Sequence, residues 1–344
     1  MNNPVYIDWA IARKCNLSCQ YCVGMEESEL SREQAVKVAR DIIELKPRWV
    51  ILEGGEPLLR GDIYDIGAMF KKNSIEVYVI TNGNAFTSEK LSKLASFAPK
   101  VLFSIDGATA GTHEAIKRGS KFDTALKWAR ECASLGIFQG ITAVLSRQNR
   151  AEVKGFIDLT EKLGGSEIIF LPLKPFGDDA SSLEYYRQHA LSPQEQEETI
   201  NEIYSYPTGI NIFYDEPFLW NISYKHDLRL SQTDGGVTIP DVAGCASACS
   251  LYIQTMGDVR PCMFSPREFS FGNAAREPLK QIWQRMQASQ LLTAWSDQKT
   301  RSGACGRCQK FESCHGCLAR TVSITGDRHG SDPACPLACS PACR

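Results

Sequence analysis

The chain reads as an α/β protein with a cysteine-rich tail. Three observations point there. The first 172 residues alternate short apolar segments with amphipathic ones at roughly 25–35-residue spacing, the pattern of β–α repeats around a parallel sheet. The chain as a whole is ordinary in composition, with 43% hydrophobic and 23% charged residues in 344. Cysteine is the outlier: of 14, four lie in the first 244 residues and ten in the last 100. Either an open doubly wound sheet or a full or partial barrel fits the order, and in both a ligand belongs at the C-terminal ends of the strands.

Val5–Arg13 is the first expected strand, with mixed burial. Ser31 caps a helix that Pro47 stops. Arg48–Glu53 is a short apolar strand ending in Gly54-Gly55. Asp62 caps the next helix, to about Lys72. Strand Ile75–Thr81 ends at Asn82-Gly83; helix Ser88–Ala98 and strand Val101–Ile105 follow. Lys121–Leu135 reads as a helix, and Phe138–Leu145, Arg150–Leu163 and Glu167–Leu171 as strand, helix, strand. These six strands look apolar on both faces, as parallel strands covered by helices should. Leu173–Ser192 reads as a Pro/Gly/Asp linker, Pro193–Tyr204 as a helix, and Pro278–Trp295 as one helix among the cysteines. The expected division is 1–172 for the α/β core, 173–240 for linker and connecting helices, and 241–344 for the cysteine-rich unit.

A net charge of −2 excludes a strongly basic nucleic-acid binder. No run of 18 apolar residues occurs, so no membrane span is expected. Met1–Cys15 lacks a basic start, an apolar core and a small-residue cleavage site, so a cytoplasmic protein with reduced thiols is expected. Clustered cysteines in that compartment read as metal or cluster ligands.

Cys15, Cys19 and Cys22 form a CxxxCxxC triplet directly after the first strand. Three thiolates from one loop can hold a four-iron cluster and leave one iron open, since such clusters normally take four ligands. Zinc, the other reading, favours paired CxxC motifs and a closed four-ligand shell. Glu53-Gly54-Gly55-Glu56-Pro57 ends the second strand. Its glycines let a backbone approach a ligand closely, and Glu56 offers a carboxylate to an ammonium group.

Together, the triplet and this turn resemble the radical S-adenosylmethionine (SAM) superfamily. The resemblance implies a partial (β/α)6 barrel. It implies a 4Fe-4S cluster on Cys15, Cys19 and Cys22, with the methionine part of SAM at the open iron. It places Gly54, Gly55 and Glu56 at the SAM amino group and Tyr21 near the adenine. Ser104 and Asp106, in a SIDG segment, match SAM contacts, and Arg118 matches the base that pairs with the SAM carboxylate. Reductive cleavage of SAM would give a 5′-deoxyadenosyl radical that abstracts hydrogen, the hard step being the cofactor's. No catalytic acid or base beyond the cluster ligands is assigned.

The C-terminal cysteines follow Cys245-x3-Cys249, Gly257-x4-Cys262, then Cys305-x2-Cys308-x5-Cys314-x2-Cys317 and Cys335. Zinc-ribbon pairs lie ~15–20 residues apart, wider than the gap here. The pattern resembles the SPASM extension of radical SAM enzymes, a small, irregular iron–sulfur domain with one or two auxiliary 4Fe-4S clusters. The resemblance implies one auxiliary cluster on Cys245, Cys249, Cys262 and Cys317 and another on Cys305, Cys308, Cys314 and Cys335, so up to three 4Fe-4S clusters in all. The two-residue gap between Cys314 and Cys317 departs from the commoner three. Cys339 and Cys343 are left over, and Cys132 reads as a buried small hydrophobe. His113, His189, His226 and His329 show no metal spacing, His315, between two of the cysteines, reads as a solvated loop residue, and Trp128, Trp283 and Trp295 read as core.

SPASM enzymes mostly mature peptides, proteins or precursors of redox cofactors, so the expected substrate is a peptide or protein. With 14 residues before Cys15, no fused peptide-recognition domain is expected there. The segment from Cys314 to Pro336 also resembles the enzymes of haem and haem d1 synthesis, making a tetrapyrrole the alternative. A reduced flavodoxin or ferredoxin is the electron donor the family implies. A non-catalytic multi-cluster electron carrier would explain the cysteines but not Glu53–Pro57.

Overall fold

The computed structural model describes residues 3–22, 28–177, 179–217, 245 and 249–339. The N-terminal part gives β1 (Tyr6–Ala12), β2 (Ser18–Cys19), α1 (Arg32–Leu45), β3 (Trp49–Gly54), α2 (Ile63–Lys72), β4 (Glu76–Thr81), α3 (Ser88–Ala95) and β5 (Lys100–Ser104). Then come α4 (Ala110–Ile116), β6 (Lys117–Arg118), α5 (Phe122–Ser134), β7 (Phe138–Leu145), α6 (Val153–Lys162) and β8 (Glu167–Pro172). Beyond lie α7 (Ala180–His189), α8 (Pro193–Ser205), β9 (Asn211–Tyr214), β10 (Ser250–Ile253), β11 (Val259–Arg260), α9 (Leu279–Gln287), α10 (Gln290–Ser296) and α11 (Leu318–Thr325).

All six expected strands form, as β1, β3, β4, β5, β7 and β8, and they lie parallel in that order. Sequential order without reversal is the winding of a barrel, not of a doubly wound sheet. Right-handed crossovers then put every connecting helix on the same face. The side chains show it: Ile7, Trp9 and Ile11 of β1 and Val50 and Leu52 of β3 are buried under α1 and α2, while Tyr6, Asp8, Ile51 and Glu53 are half-buried on the other face. That second face is the partly open interior of the barrel, and β3 and β4 alternate in burial across it, whereas β5, with Val101, Leu102 and Phe103 all buried, and β7, with Gly140, Ile141, Thr142 and Ala143 buried, are covered on both faces as expected.

Three further strands join the sheet. β9 pairs in parallel with β8, β10 in parallel with β1, and β11 antiparallel with β10. The cysteine-rich region thus shares backbone hydrogen bonds with the first strand. Among the described residues, no helix is long and apolar enough to cross a membrane.

Several elements depart from the sequence reading. The expected linker carries α7, capped by Asp179, whose carboxylate accepts from Ser182 N. The expected single helix Pro278–Trp295 is two, α9 and α10, because Ser289 caps a new start. Ser31 does cap α1, in a reciprocal capping box with Gln34. Asp62 stands at the N-cap of α2 but caps nothing with its side chain: Arg60 takes both carboxylate oxygens at 2.6 and 2.9 Å.

Candidate functional site: a thiol loop and two auxiliary cysteine sets

The triplet sits where β1 ends. Cys15 and Cys22 are exposed, Cys19 is partly buried, and each thiol lies in the electrostatic field of its neighbours. The loop is fastened to the barrel in three ways. Its β2 segment pairs with β6, Ser18 opposite Arg118 and Cys19 opposite Lys117. Gln20 bonds to the end of α4 through Ile116 O and Ala115 O. Asn82, at the end of β4, donates to Asn16 Oδ1 at 2.9 Å and stands 3.9 Å from Cys15 Sγ.

Gly54 and Gly55 make the turn after β3 possible. Gly54 has φ of +125°, and a Cβ there would lie 2.4 Å from Ala12 O; at Gly55 it would lie 2.4 Å from Lys14 O. Side chains are thus excluded so that this turn can abut the backbone leading into Cys15. Gly55 N and Glu56 N donate to Ala12 O and Lys14 O, both at 2.7 Å.

Glu56 is fully buried. Its Oε1 accepts from Thr81 Oγ1 at 2.8 Å and Leu58 N at 3.1 Å, and its Oε2 from Asn82 N at 2.8 Å. Burial pushes its carboxyl up despite these donors. The carboxylate expected to meet an ammonium group therefore also clamps the end of β4, and through Asn82 it positions Cys15.

Tyr21, Ser104 and Asp106 come together around Lys117, a residue the sequence reading passed over. Tyr21 OH donates to Asp106 Oδ2 at 2.8 Å; Lys117 Nζ donates to Ser104 Oγ at 2.8 Å and Tyr21 OH at 3.1 Å, and lies 3.4 Å from Asp106 Oδ2. Burial opposes the Lys117 cation, but Asp106 and the nearby thiols outweigh it and hold the ammonium above its ordinary value. Asp106 Oδ1 accepts from Val144 N at 2.8 Å. His113, fully buried, has its ring pushed down to about 4, chiefly by burial. Its Nδ1 accepts from Asp106 N, so its Nε2–H faces Ser120 Oγ. Arg118, the expected cation, is exposed on β6. Neighbours in a strand point to opposite faces, so one of the pair Lys117-Arg118 had to turn inward; that alternation is the signal for Lys117.

Several of the eight expected auxiliary cysteines lie within electrostatic reach of one another. The Cys245 thiol is in electrostatic reach of Cys249, Cys262 and Cys317. Burial first, and Cys245 second, push Cys249 up to about 12 and Cys262 up to about 11. Cys305 is likewise in reach of Cys335, and Cys305 and Cys314 both act on the Arg301 guanidinium. Gln298 Nε2 donates to the carbonyls of both Cys305 and Cys308. Cys317 N donates to Asp332 Oδ2 at 2.8 Å, and Asp332 with Glu216 brackets the guanidinium of Arg320, all three side chains being fully buried. Buried thiols of this kind stay protonated until a metal takes the proton's place, so cluster loading must release protons. Among the described residues, no three His, Cys, Asp or Glu side chains converge tightly enough to hold one metal ion. A four-iron cube takes each thiolate at a separate corner, so its ligands need no common point. The donor chemistry of the thiol loop and of the C-terminal cysteines suits such clusters.

Cys339 ends a 3-10 turn, Pro336–Cys339, while Cys343 and His226 lie outside the described residues. Cys132 is buried on α5. Trp283 and Trp295 are buried, and Trp128 stacks on Phe86.

Comparison with known proteins agrees with this architecture. Residues 9–160 match the Radical SAM superfamily, and residues 245–317 match the SPASM iron-sulfur cluster-binding domain. An AdoMet-dependent heme synthase of Nitratidesulfovibrio vulgaris is 26% identical, over 96% of this chain and 91% of that one. Mycofactocin maturase MftC of Mycobacterium tuberculosis is 26% identical, over 97% and 83%. Streptococcus suis SuiB, in its structure bound to S-adenosylmethionine, superposes with a TM-score of 0.74 at 16% identity, over 97% and 77%. This chain belongs to the radical SAM superfamily and carries a C-terminal SPASM domain. It is an enzyme of that class, with iron–sulfur clusters and SAM as its cofactors.

Proposed function

We propose that the chain is a maturase acting on a peptide or protein, with Cys15, Cys19 and Cys22 holding the SAM-binding cluster and the two auxiliary sets holding two more. When bound, SAM and the reduced cluster supply a 5′-deoxyadenosyl radical for hydrogen abstraction. The chain's own residues hold the loop and shape the cavity. Glu56, through Asn82, and Lys117, through Tyr21, hold the loop that carries the cysteines. The backbone beside Gly54 and Gly55, with Tyr21, Ser104 and Asp106 around Lys117, lines the strand ends where SAM would lie, while Arg118, exposed on β6, stands outside that group. Reduced flavodoxin or ferredoxin as donor, in a reducing cytoplasm, suits such a centre.

The observation that carries the substrate class is the charge of the barrel interior. Asp8 on β1 and Glu53 on β3 are close neighbours on the open face; burial pushes Glu53 up to about 7 and Asp8 well above the carboxylate range. Among the described residues, no cation pairs with either. The nearby cations Lys174 and Arg260 are engaged by Asp215 and Asp258. Carboxyls held protonated in this way offer an O–H donor and a C=O acceptor to the amides of a peptide, and among the described residues no cation stands beside them to receive a tetrapyrrole's propionates. The haem-pathway reading is favoured instead by the heme synthase relative and by the segment Cys314–Pro336.

Reduced enzyme with SAM should be offered a peptide encoded beside its gene and, separately, a propionate-bearing porphyrin. A peptide that raises 5′-deoxyadenosine output and changes mass supports the proposal. Modification of the porphyrin, with the peptide untouched, would reverse it.

A further inference from the structure

We propose that Lys117 is a positioning residue whose charge sets the reduction potential of the cluster on Cys15, Cys19 and Cys22. The inference rests on reading that loop as the cluster site. Lys117 is 3% exposed and lies directly opposite Cys19 on the β2–β6 ladder. Its ammonium reaches beneath the loop, 5.7 Å from the centre of the Tyr21 ring, and Tyr21 stands between Cys19 and Cys22. Two of its three oxygen partners, Ser104 Oγ and Tyr21 OH, are neutral.

The third partner, Asp106, offsets the cation only in part. Its carboxylate is shared with Val144 N and Tyr21 OH and stands 3.4 Å from Nζ, a longer contact than either neutral one. A cation held near an iron–sulfur cluster, out of water, favours the more negatively charged reduced state and so raises the potential. Screening by salt is weak at so buried a site. Lys117 would thus ease the electron's entry into the cluster while its bond to Tyr21 holds the loop still. Arg118, one residue on, is exposed and cannot substitute for it.

The test uses full-length protein, anaerobically reconstituted, as wild type, Lys117→Met, Lys117→Arg and Asp106→Asn. The reduced-cluster EPR signal that changes on adding SAM is followed in a potentiometric titration. A wild type with no SAM-responsive signal overturns the reading of the loop itself, independently of Lys117. With that signal present, the expected result is a more negative midpoint for Lys117→Met, a midpoint near wild type for Lys117→Arg and a more positive one for Asp106→Asn. A Lys117→Met midpoint equal to wild type overturns the proposal, as does a Lys117→Arg midpoint displaced as far as that of Lys117→Met. If Lys117→Met holds no iron at this site, Asp106→Asn decides: a positive shift supports the proposal, and no shift or a negative one overturns it.

Discussion

Glu56 shows how one side chain serves the cluster loop without touching a metal. It accepts three hydrogen bonds while fully buried, two of them from backbone N–H groups. Glu56→Gln replaces one acceptor oxygen with a donor and leaves a buried donor unmet, at a cost of ~1–3 kcal/mol. The expected outcome is a lowered melting temperature together with lost SAM cleavage; a fully stable variant with full cleavage would remove Glu56 from the account. Glu53 has a different signature. Loss of water around its half-buried side chain pushes its carboxyl up to about 7, above the ordinary carboxylate value, so the folded state holds a proton that the unfolded chain has released. The stability it contributes is present below that ordinary value and is lost as pH rises through about 7. Glu53→Gln should therefore gain stability on wild type between pH 5 and pH 8, read as the difference in denaturation midpoint; an equal difference at both pH values contradicts the assignment. The cysteines, the glycine turn and Glu56 were legible because their spacing is local. Lys117 was not: its importance depends on a two-residue strand turning it inward, and adjacent Lys and Arg look alike until the ladder is known.

The strands of the barrel were legible because each is a short apolar run between turn residues, and their register follows from sequential pairing. β10 was not, since its partner is β1, a pairing between distant parts of the chain with no local trace. α7 escaped for another reason: it buries only Ser182, so it carries no apolar stripe to read. It nevertheless stands over the site, with Tyr185 OH donating to Gln148 Oε1 at 2.6 Å and lying 3.4 Å from Gln20 Oε1 in the cysteine loop. Two element-scale outcomes follow. Ser31→Ala removes one half of the α1 capping box and should cost ~1 kcal/mol in chemical denaturation. Cutting the chain after Glu216 strips β10 from β1 and bares the hydrogen-bonding edge of β1. Such a fragment should elute as aggregate in size-exclusion chromatography, whereas a stable monomeric fragment would show that the sheet does not need the cysteine-rich region.

At the scale of the whole molecule, one sheet ties a radical SAM barrel to a SPASM domain, and the buried Arg320–Glu216–Asp332 cluster joins the chain just after β9 to α11 and to Asp332, which accepts from both Cys317 N and Cys335 N. If the three proposed 4Fe-4S clusters form, reconstituted protein holds about twelve irons per chain, and Cys245→Ala or Cys308→Ala about eight. Either auxiliary variant should keep some SAM cleavage while losing product; full product from Cys308→Ala would mean that its cluster is not required. The most direct test of the central claim is 5′-deoxyadenosine formation by the reduced, reconstituted protein, wild type beside Cys19→Ala. The account predicts 5′-deoxyadenosine over many turnovers from wild type and none from Cys19→Ala, with the auxiliary iron retained in the variant. Intact SAM in the presence of fully loaded wild type, or undiminished cleavage by Cys19→Ala, would contradict it.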